Sequence, residues 1–473
     1  MSTIRPIILA GVATERPGVM IHCPYDGAPI GLVGRATAAD VETAIAAAHA
    51  AFAQTRALAD HTRAGILRAV AASLAANRET YATAIALEAG KPISQARGEV
   101  GRAITTFETA ADECSRSHDE VLRLDRAPGG EQRHAVVQRF PIGPVAAIAP
   151  FNFPLNLVAH KVAPAIAAGC PIVLKPASQT PTAALLLGEA ILAAGWPAGA
   201  LSVVPVASRD AGALVRDDRI ALLSFTGSPA VGWQLKAECG RKRITLELGG
   251  NAGVVVHDDA DIATAAAKCV AGGFNYAGQS CISVQRIFVQ RSVYAPFVAA
   301  MQKAIENLVV GHPLDERADL CSVIAPSEAD RIAEWFAEAR AAGATFVTGG
   351  TVAGGVVQPT LITDAGPRLQ VNCREVFAPV VTVTPYDTYA EALALVNDSD
   401  YGLQAAVFTR DVGRIYQAYH TLAVGGVIVN DMPTWRLDPM PYGGVKQSGF
   451  GREGVAYAIE EMTEPKLLVI NLA

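Results

Sequence analysis

The sequence predicts an α/β protein of more than one domain, and three observations predict it. From Gly143 onward, short apolar runs alternate with helical stretches; near Ala252 the same rhythm restarts and continues past Pro379. The chain has 473 residues, too many for one hydrophobic core, so two or three domains are expected. Its composition, 51% hydrophobic and 18% charged, suits compact folding rather than disorder.

Ahead of Gly143 the chain reads as helical. Thr37-Ala-Ala-Asp40 has the form of a capping box before an Ala-rich run to Ala53. Further helical patterns run from about Arg63 to Leu87 and from Ile93 to about Ser115. Around Val121 the texture changes to alternating apolar residues, a turn at Pro128-Gly-Gly130, and a β-rich run from Ala135 to Phe140, which reads as a hairpin or a pair of strands.

The strand–helix series then begins with a buried strand at Val145 and a helix from Leu155 to Ala168. A strand over Ile172–Lys175 follows, then a helix started by Thr180 as cap with Pro181 at its first position. Strands at Leu201–Val204, Ile220–Phe225 and Ile244–Leu248, with helices over Arg209–Arg216 and after Ser228, complete it. Strands alternating with helices give a parallel sheet covered on both faces, the architecture that takes dinucleotides at strand C-termini. The tail Lys466–Leu472 is again β-patterned with no strand nearby in sequence, so its partner is distant or in another subunit.

The net charge of −6 and the lack of a long Lys/Arg run argue against nucleic-acid binding. The apolar stretches are too short for a membrane span, and the N-terminus lacks the pattern of a secretory signal. Eight cysteines stand scattered, with no Cys-x-x-Cys pair and no His at ligand spacing. That opposes a metal site and a disulfide framework alike and fits a reducing cytoplasm.

Three segments carry chemistry. In Phe274-Asn-Tyr-Ala-Gly278-Gln-Ser-Cys281 a helix dissolves into small residues before a cysteine, placing a thiol where backbone N–H groups favour thiolate. Thr245-Leu-Glu247-Leu-Gly-Gly250 sets a carboxylate in an apolar strand, where a raised pKa suits a general base. Phe151-Asn152-Phe-Pro154 follows the first strand of the series and offers a neutral side-chain donor for an oxyanion.

These segments, with a Gly-Gln-x-Cys motif 34 residues beyond Glu247 and Glu375-Val-Phe377-Ala-Pro379, occur in the order typical of the aldehyde dehydrogenase superfamily. The sequence resembles that family along essentially its whole length. The resemblance implies a Rossmann-like cofactor domain (1–120 and 141–246), a second α/β catalytic domain (247–450) and a small β oligomerisation arm (121–140 and 451–473). It implies Cys281 as nucleophile, Asn152 and the Cys281 backbone N–H as oxyanion donors, Glu247 as the base for thioester hydrolysis, and Lys161 and Glu453 in proton relay or support.

For the cofactor, the resemblance implies NAD or NADP held by Phe151, Lys175, Ser178, Phe225, Gly227, Ser228, Gly249, Glu375 and Phe377. Many NAD-preferring members carry Glu where Ser178 stands, so the charge that repels a 2′-phosphate is missing here. Glu247 disfavours a CoA-acylating relative, which commonly lacks that residue, and the complete set of catalytic groups disfavours an inactive one. The segment around Arg436 resembles the branch acting on short hydroxy- or anionic aldehydes, with His160, Arg436 and Arg102 as a clamp for the substrate. The expected partners are a small-molecule aldehyde and further copies of the chain, as a homodimer or homotetramer.

Overall fold

The computed structural model describes residues 4–116 and 119–472. Its first sheet has eight strands, five of them parallel at the centre in the order Arg243–Glu247, Leu222–Thr226, Val145–Ile148, Ile172–Lys175, Leu201–Val203. The chain enters this parallel set at Val145–Ile148 in the middle, builds outward through two strands on one side, then crosses to the other. The order therefore reverses beside Val145–Ile148, where diverging connections open a crevice at the strand C-termini. Antiparallel Gly449–Phe450 closes one edge, and Ile7–Leu9 with Val12–Thr14 closes the other.

The two faces of this sheet bury different cores because side chains alternate along a strand. Val145 and Ala147 pack with Leu174, Leu201 and Leu222 against helices Asp60–Ala76, Ile93–Glu113, Asn156–Ala168 and Thr182–Ala193. Ala146 points the other way, with Val173 and Leu223, into the core shared with helix Ala38–Thr55. With both faces covered, the strands are apolar almost throughout.

A second, seven-stranded sheet runs Thr345–Thr348, Thr360–Thr363, Val380–Tyr386, Val284–Gln290, Ala252–Val256, Gln404–Phe408, Gly426–Val429, all parallel except the first. The tail strand Thr463–Asn471 pairs antiparallel along its full length with Arg133–Pro141, which also pairs with Glu120–Leu122. The expected hairpin is present, and the partner of the tail lies in the same chain, more than 300 residues away.

Several boundaries differ from expectation. Five short strands, from Ile4–Arg5 to Pro29–Gly34, precede the first helix where no strand was expected. The pattern from Arg63 to Leu87 is two helices, Asp60–Ala76 and Arg78–Ala89, broken at Asn77, whose backbone leaves the helical region (φ −111°, ψ 24°). Only Gly212–Arg216 of the stretch expected to be helical from Arg209 is α-helix, with a 3₁₀ turn over Ser208–Asp210 before it. The helix expected to start with Thr180 as cap spans Thr182–Ala193, with Pro181 in the cap position. The Thr180 hydroxyl points instead to the Phe151 carbonyl. The capping acceptor comes from elsewhere: Glu88 takes hydrogen bonds from the Thr182 N–H (3.0 Å) and hydroxyl (2.5 Å). The Thr37/Asp40 capping box forms as read.

Candidate active site

Four strand ends of the first sheet converge on one cleft of ≈ 780 Å³. Val145–Ile148 delivers Phe151 and Asn152, Ile172–Lys175 delivers Lys175 and Ser178, Leu222–Thr226 delivers Gly227 and Ser228, and Arg243–Glu247 delivers Glu247 and Gly249. Phe225 lines the same cleft, and the second sheet closes it with Cys281, Glu375 and Phe377. Residues spread over more than 200 positions thus meet because the switch point puts their loops on one side.

The Gly-Gly pair after Glu247 marks the seam between the sheets. A Cβ on Gly249 would lie 2.3 Å from a Glu375 carboxylate oxygen, and one on Gly250 only 1.9 Å from the Cys281 carbonyl oxygen. Only a bare backbone lets the two loops approach this closely. The Gly250 N–H then donates to Glu375 Oε1 (2.8 Å).

Asn152 is buried and its Nδ2 donates to the Gln279 carbonyl (3.0 Å), which ties the carboxamide to the cysteine loop. Beneath it, fully buried Lys91 pairs with Glu99 and donates to the Asn152 carbonyl (2.7 Å), while Glu99 accepts from the N–H groups of Leu155 and Asn156. This pair anchors the Asn152 loop to helix Ile93–Glu113, and neither residue was singled out in the sequence. Cys281 N–H makes no hydrogen bond among the described residues.

Glu247 is buried at its strand end, and neither carboxylate oxygen has a partner among the described residues. Desolvation, reinforced by the nearby Glu453, pushes its pKa well above the ordinary carboxylate range. A Cβ on Gly443 would stand 2.9 Å from one of its oxygens, so the C-terminal glycine segment packs directly on this group. Glu453 behaves oppositely: burial raises it, but Lys161, His160 and Arg436 together outweigh that and hold it below its ordinary value. Lys161 Nζ reaches Glu453 Oε1 (2.8 Å) and the Ser224 hydroxyl (3.0 Å), making a buried pair behind the cleft rather than on its wall.

The surroundings of Cys281, itself only part-buried, act on its thiol in both directions. Burial of the sulfur pushes the thiol up to about 12, and Glu247 and Glu375 add to the effect; a contact with Tyr442 opposes it. The Tyr442 hydroxyl lies 3.1 Å from Cys281 Sγ. Tyr442 sits inside Pro441-Tyr-Gly-Gly444, where nothing in the sequence marks its hydroxyl as chemical.

The expected substrate clamp is redistributed. His160 is fully buried, its Nε2–H donating to Asp438 Oδ1 (2.8 Å), and desolvation followed by Arg436 lowers its pKa to about 4. It is therefore neutral near pH 7 and turned away from solvent. Arg102 binds the same Asp438 (3.0 Å) but stays partly exposed. Burial raises Asp438, yet His160 and Arg102 prevail and bring it to about 2. The Arg436 guanidinium lies 3.6 Å over the Tyr442 ring, and its Nε has no partner among the described residues.

The cleft fits a dinucleotide on three counts. Helix Pro229–Glu238 opens on it with no side-chain cap at Ser228, leaving its first N–H groups for an anion. Thr226 Oγ1 beside them is buried without a partner among the described residues. The Glu375 carboxyl, raised to about 7 by burial, stands across the cleft as an acceptor for hydroxyl groups.

A thiol, a buried carboxyl and a carboxamide thus meet around one dinucleotide-sized cleft. Residues 12–468 match the family model described as the aldehyde dehydrogenase family. The chain belongs to the aldehyde dehydrogenase family, and oxidises an aldehyde to its carboxylic acid with NAD or NADP. It is 44% identical to 3-sulfolactaldehyde dehydrogenase of Priestia megaterium over 449 residues, 95% of this chain and 94% of that protein. Its structure is similar to aldehyde dehydrogenase 21 from Physcomitrella patens in complex with the reaction product succinate, at a TM-score of 0.97 and 41% identity, covering 100% of this chain and 99% of that one. It is similar also to the NADP-dependent glyceraldehyde-3-phosphate dehydrogenase from Bacillus halodurans C-125 complexed with NADP, at 0.97 and 35% identity, with 100% of both chains covered. Among the described residues no helix is long and apolar enough to cross a membrane.

Proposed function

We propose that the chain oxidises a short aldehyde bearing an anionic group, with Cys281 as nucleophile and Glu247 as hydrolytic base. The observation that carries the mechanism is Glu247: a buried carboxyl whose two oxygens have no partner among the described residues, at the wall of the cleft that also holds Cys281. A group so placed, with a raised pKa, is suited to take a proton from water near neutrality. The Cys281 sulfur adds to the aldehyde carbon, and the developing oxyanion is met by Asn152 Nδ2 and the Cys281 N–H. NAD(P), when bound, supplies the hydride acceptor. Glu247 then deprotonates the water that attacks the thioester, and Cys281 leaves as the thiolate. Lys161 and Glu453 support Glu247 from behind, where their paired charges set its field.

Lys175, Ser178, Gly227 and Ser228 hold the adenosine and phosphate side of the dinucleotide, Phe225 supports Gly227, and Phe151, Gly249, Glu375 and Phe377 hold the nicotinamide side. Burial and then Arg35 lower the Lys175 pKa, and with Ser178 in the cleft no carboxylate at that position opposes a 2′-phosphate. We assign residues 1–120 and 141–246 to cofactor binding, 247–450 to catalysis, and 121–140 with 451–473 to an assembly arm. The exposed apolar residues of the tail support a homodimer or homotetramer, and eight free cysteines support a reducing compartment.

For the substrate, Arg436 is the decisive group, a guanidinium with spare donors that touches the residue contacting the nucleophile. Arg102, held by Asp438, is the second. The names of the three similar proteins specify a sulfonate, a dicarboxylate product and a phosphate, which differ in shape but share an anion. The test is a panel of short aldehydes, with and without an anionic group, assayed with both cofactors. Arg436→Met is expected to lower the charged-to-uncharged ratio of kcat/KM by about 10- to 100-fold, the worth of one charge-assisted hydrogen bond. Equal losses on all aldehydes would overturn the assignment of the anion site.

A further inference from the structure

A buried hydroxyl costs free energy unless it has a partner, and phenylalanine would fill the place of the 5%-exposed Tyr442 ring equally well. The hydroxyl meets Cys281 Sγ, at 3.1 Å. The geometry points to Tyr442 as a further catalytic residue, whose hydroxyl donates a hydrogen bond to the Cys281 thiolate and aims it. The inference rests on Cys281 being the nucleophile.

Three features support it. The Tyr442 backbone is locked by reciprocal hydrogen bonds with Glu453, 2.9 Å from its N–H and 2.6 Å to its carbonyl, so the ring does not depend on a mobile loop. The Arg436 guanidinium lies against the ring face at 3.6 Å, and a cation there draws electron density from the phenol and strengthens its O–H as a donor. The sulfur, moreover, needs such a donor. The charged groups acting on it are Glu247 and Glu375, which resist its ionisation, and Arg436, which favours it. In the resting thiol either atom can donate. Once the proton leaves sulfur, the phenol O–H turns to it, and the bond becomes charge-assisted and stronger. No atom is transferred to Tyr442, whose own ionisation is pushed far up by burial.

The test is alkylation of Cys281 by iodoacetamide in the full-length enzyme without nucleotide, followed by mass spectrometry of the labelled peptide across pH. Tyr442→Phe is expected to slow labelling about tenfold at each pH below the thiol midpoint. The Michaelis constant for the nucleotide should stay unchanged, and because the ring is retained the melting temperature should fall little. Cys281→Ser, run alongside, separates this inference from the reading beneath it. An unchanged labelling profile in Tyr442→Phe with an inactive Cys281→Ser overturns the role of Tyr442 alone. An active Cys281→Ser overturns both.

Discussion

Glu247 and Glu453 are both buried carboxyls close enough to interact, yet they are driven in opposite directions. Glu453 has Lys161 at 2.8 Å, whereas Glu247 has no hydrogen-bond partner among the described residues. That asymmetry separates a supporting charge from a group able to accept a proton. Because Glu247 must be ionised to act, steady turnover should fall as pH drops through its raised pKa. Glu247→Gln removes this limb. It should leave an initial burst of NAD(P)H near one equivalent per site, followed by turnover slowed about 10²- to 10⁴-fold, the usual worth of a general base. Rapid-mixing absorbance at the nicotinamide band measures both phases. Loss of the burst together with the steady state would place Glu247 before acylation. Glu247 was legible as chemistry because a carboxyl is out of place in an apolar strand, and Cys281 because it stands where a helix dissolves into small residues. Tyr442 was not, since an aromatic among glycines looks like packing until its hydroxyl is seen against the sulfur.

At the scale of elements, helix ends show how distant residues complete local structure. The helix Thr182–Ala193 has the Thr-Pro signature of a self-capped start, but its first donors are met by Glu88, from helix Arg78–Ala89. Burial raises Glu88 to about 7 despite those hydrogen bonds. The folded state therefore holds the proton more tightly than the unfolded chain. The stability this confers is present in full below the unfolded value near 4.5 and is lost as pH rises through about 7. The span corresponds to about 3 kcal/mol at most. Glu88→Gln should flatten this dependence, so that its melting temperature relative to the parent improves from pH 5 to pH 8. Differential scanning calorimetry at several pH values checks it; a constant offset would show that Glu88 does not titrate there.

For the whole molecule, the tail strand Thr463–Asn471 is both a solved and an open problem. One edge is paired along its length to Arg133–Pro141, but it is the outer strand of its sheet. Leu467, Leu468, Val469 and Ile470 alternate between its faces and are each more than 40% exposed, as is Leu472 just beyond it. An apolar edge strand exposed on both faces is an association surface. Deleting residues 466–473 is expected to lower the mass found by light scattering to that of a smaller assembly, or to make the protein insoluble. A full-length chain that stays monomeric and active at micromolar concentration would remove the assembly role from the arm.

The sequence by itself determined the parallel α/β architecture, the central strands of the first sheet to within about two residues, and the residue types of the reaction. Apolar periodicity and Gly/Pro punctuation are local signals, and they survive in a single chain read without its fold. Only the tertiary structure decided what those residues face. It brought Asn152, Glu247 and Cys281 to one cleft at the switch point. It turned His160 inward onto Asp438, supplied Glu88 as a remote cap, and placed Tyr442 on the nucleophile. These pairings join residues from 94 to 278 positions apart. Their energies come from desolvation and close approach, which are properties of the packed interior and have no local sequence signature.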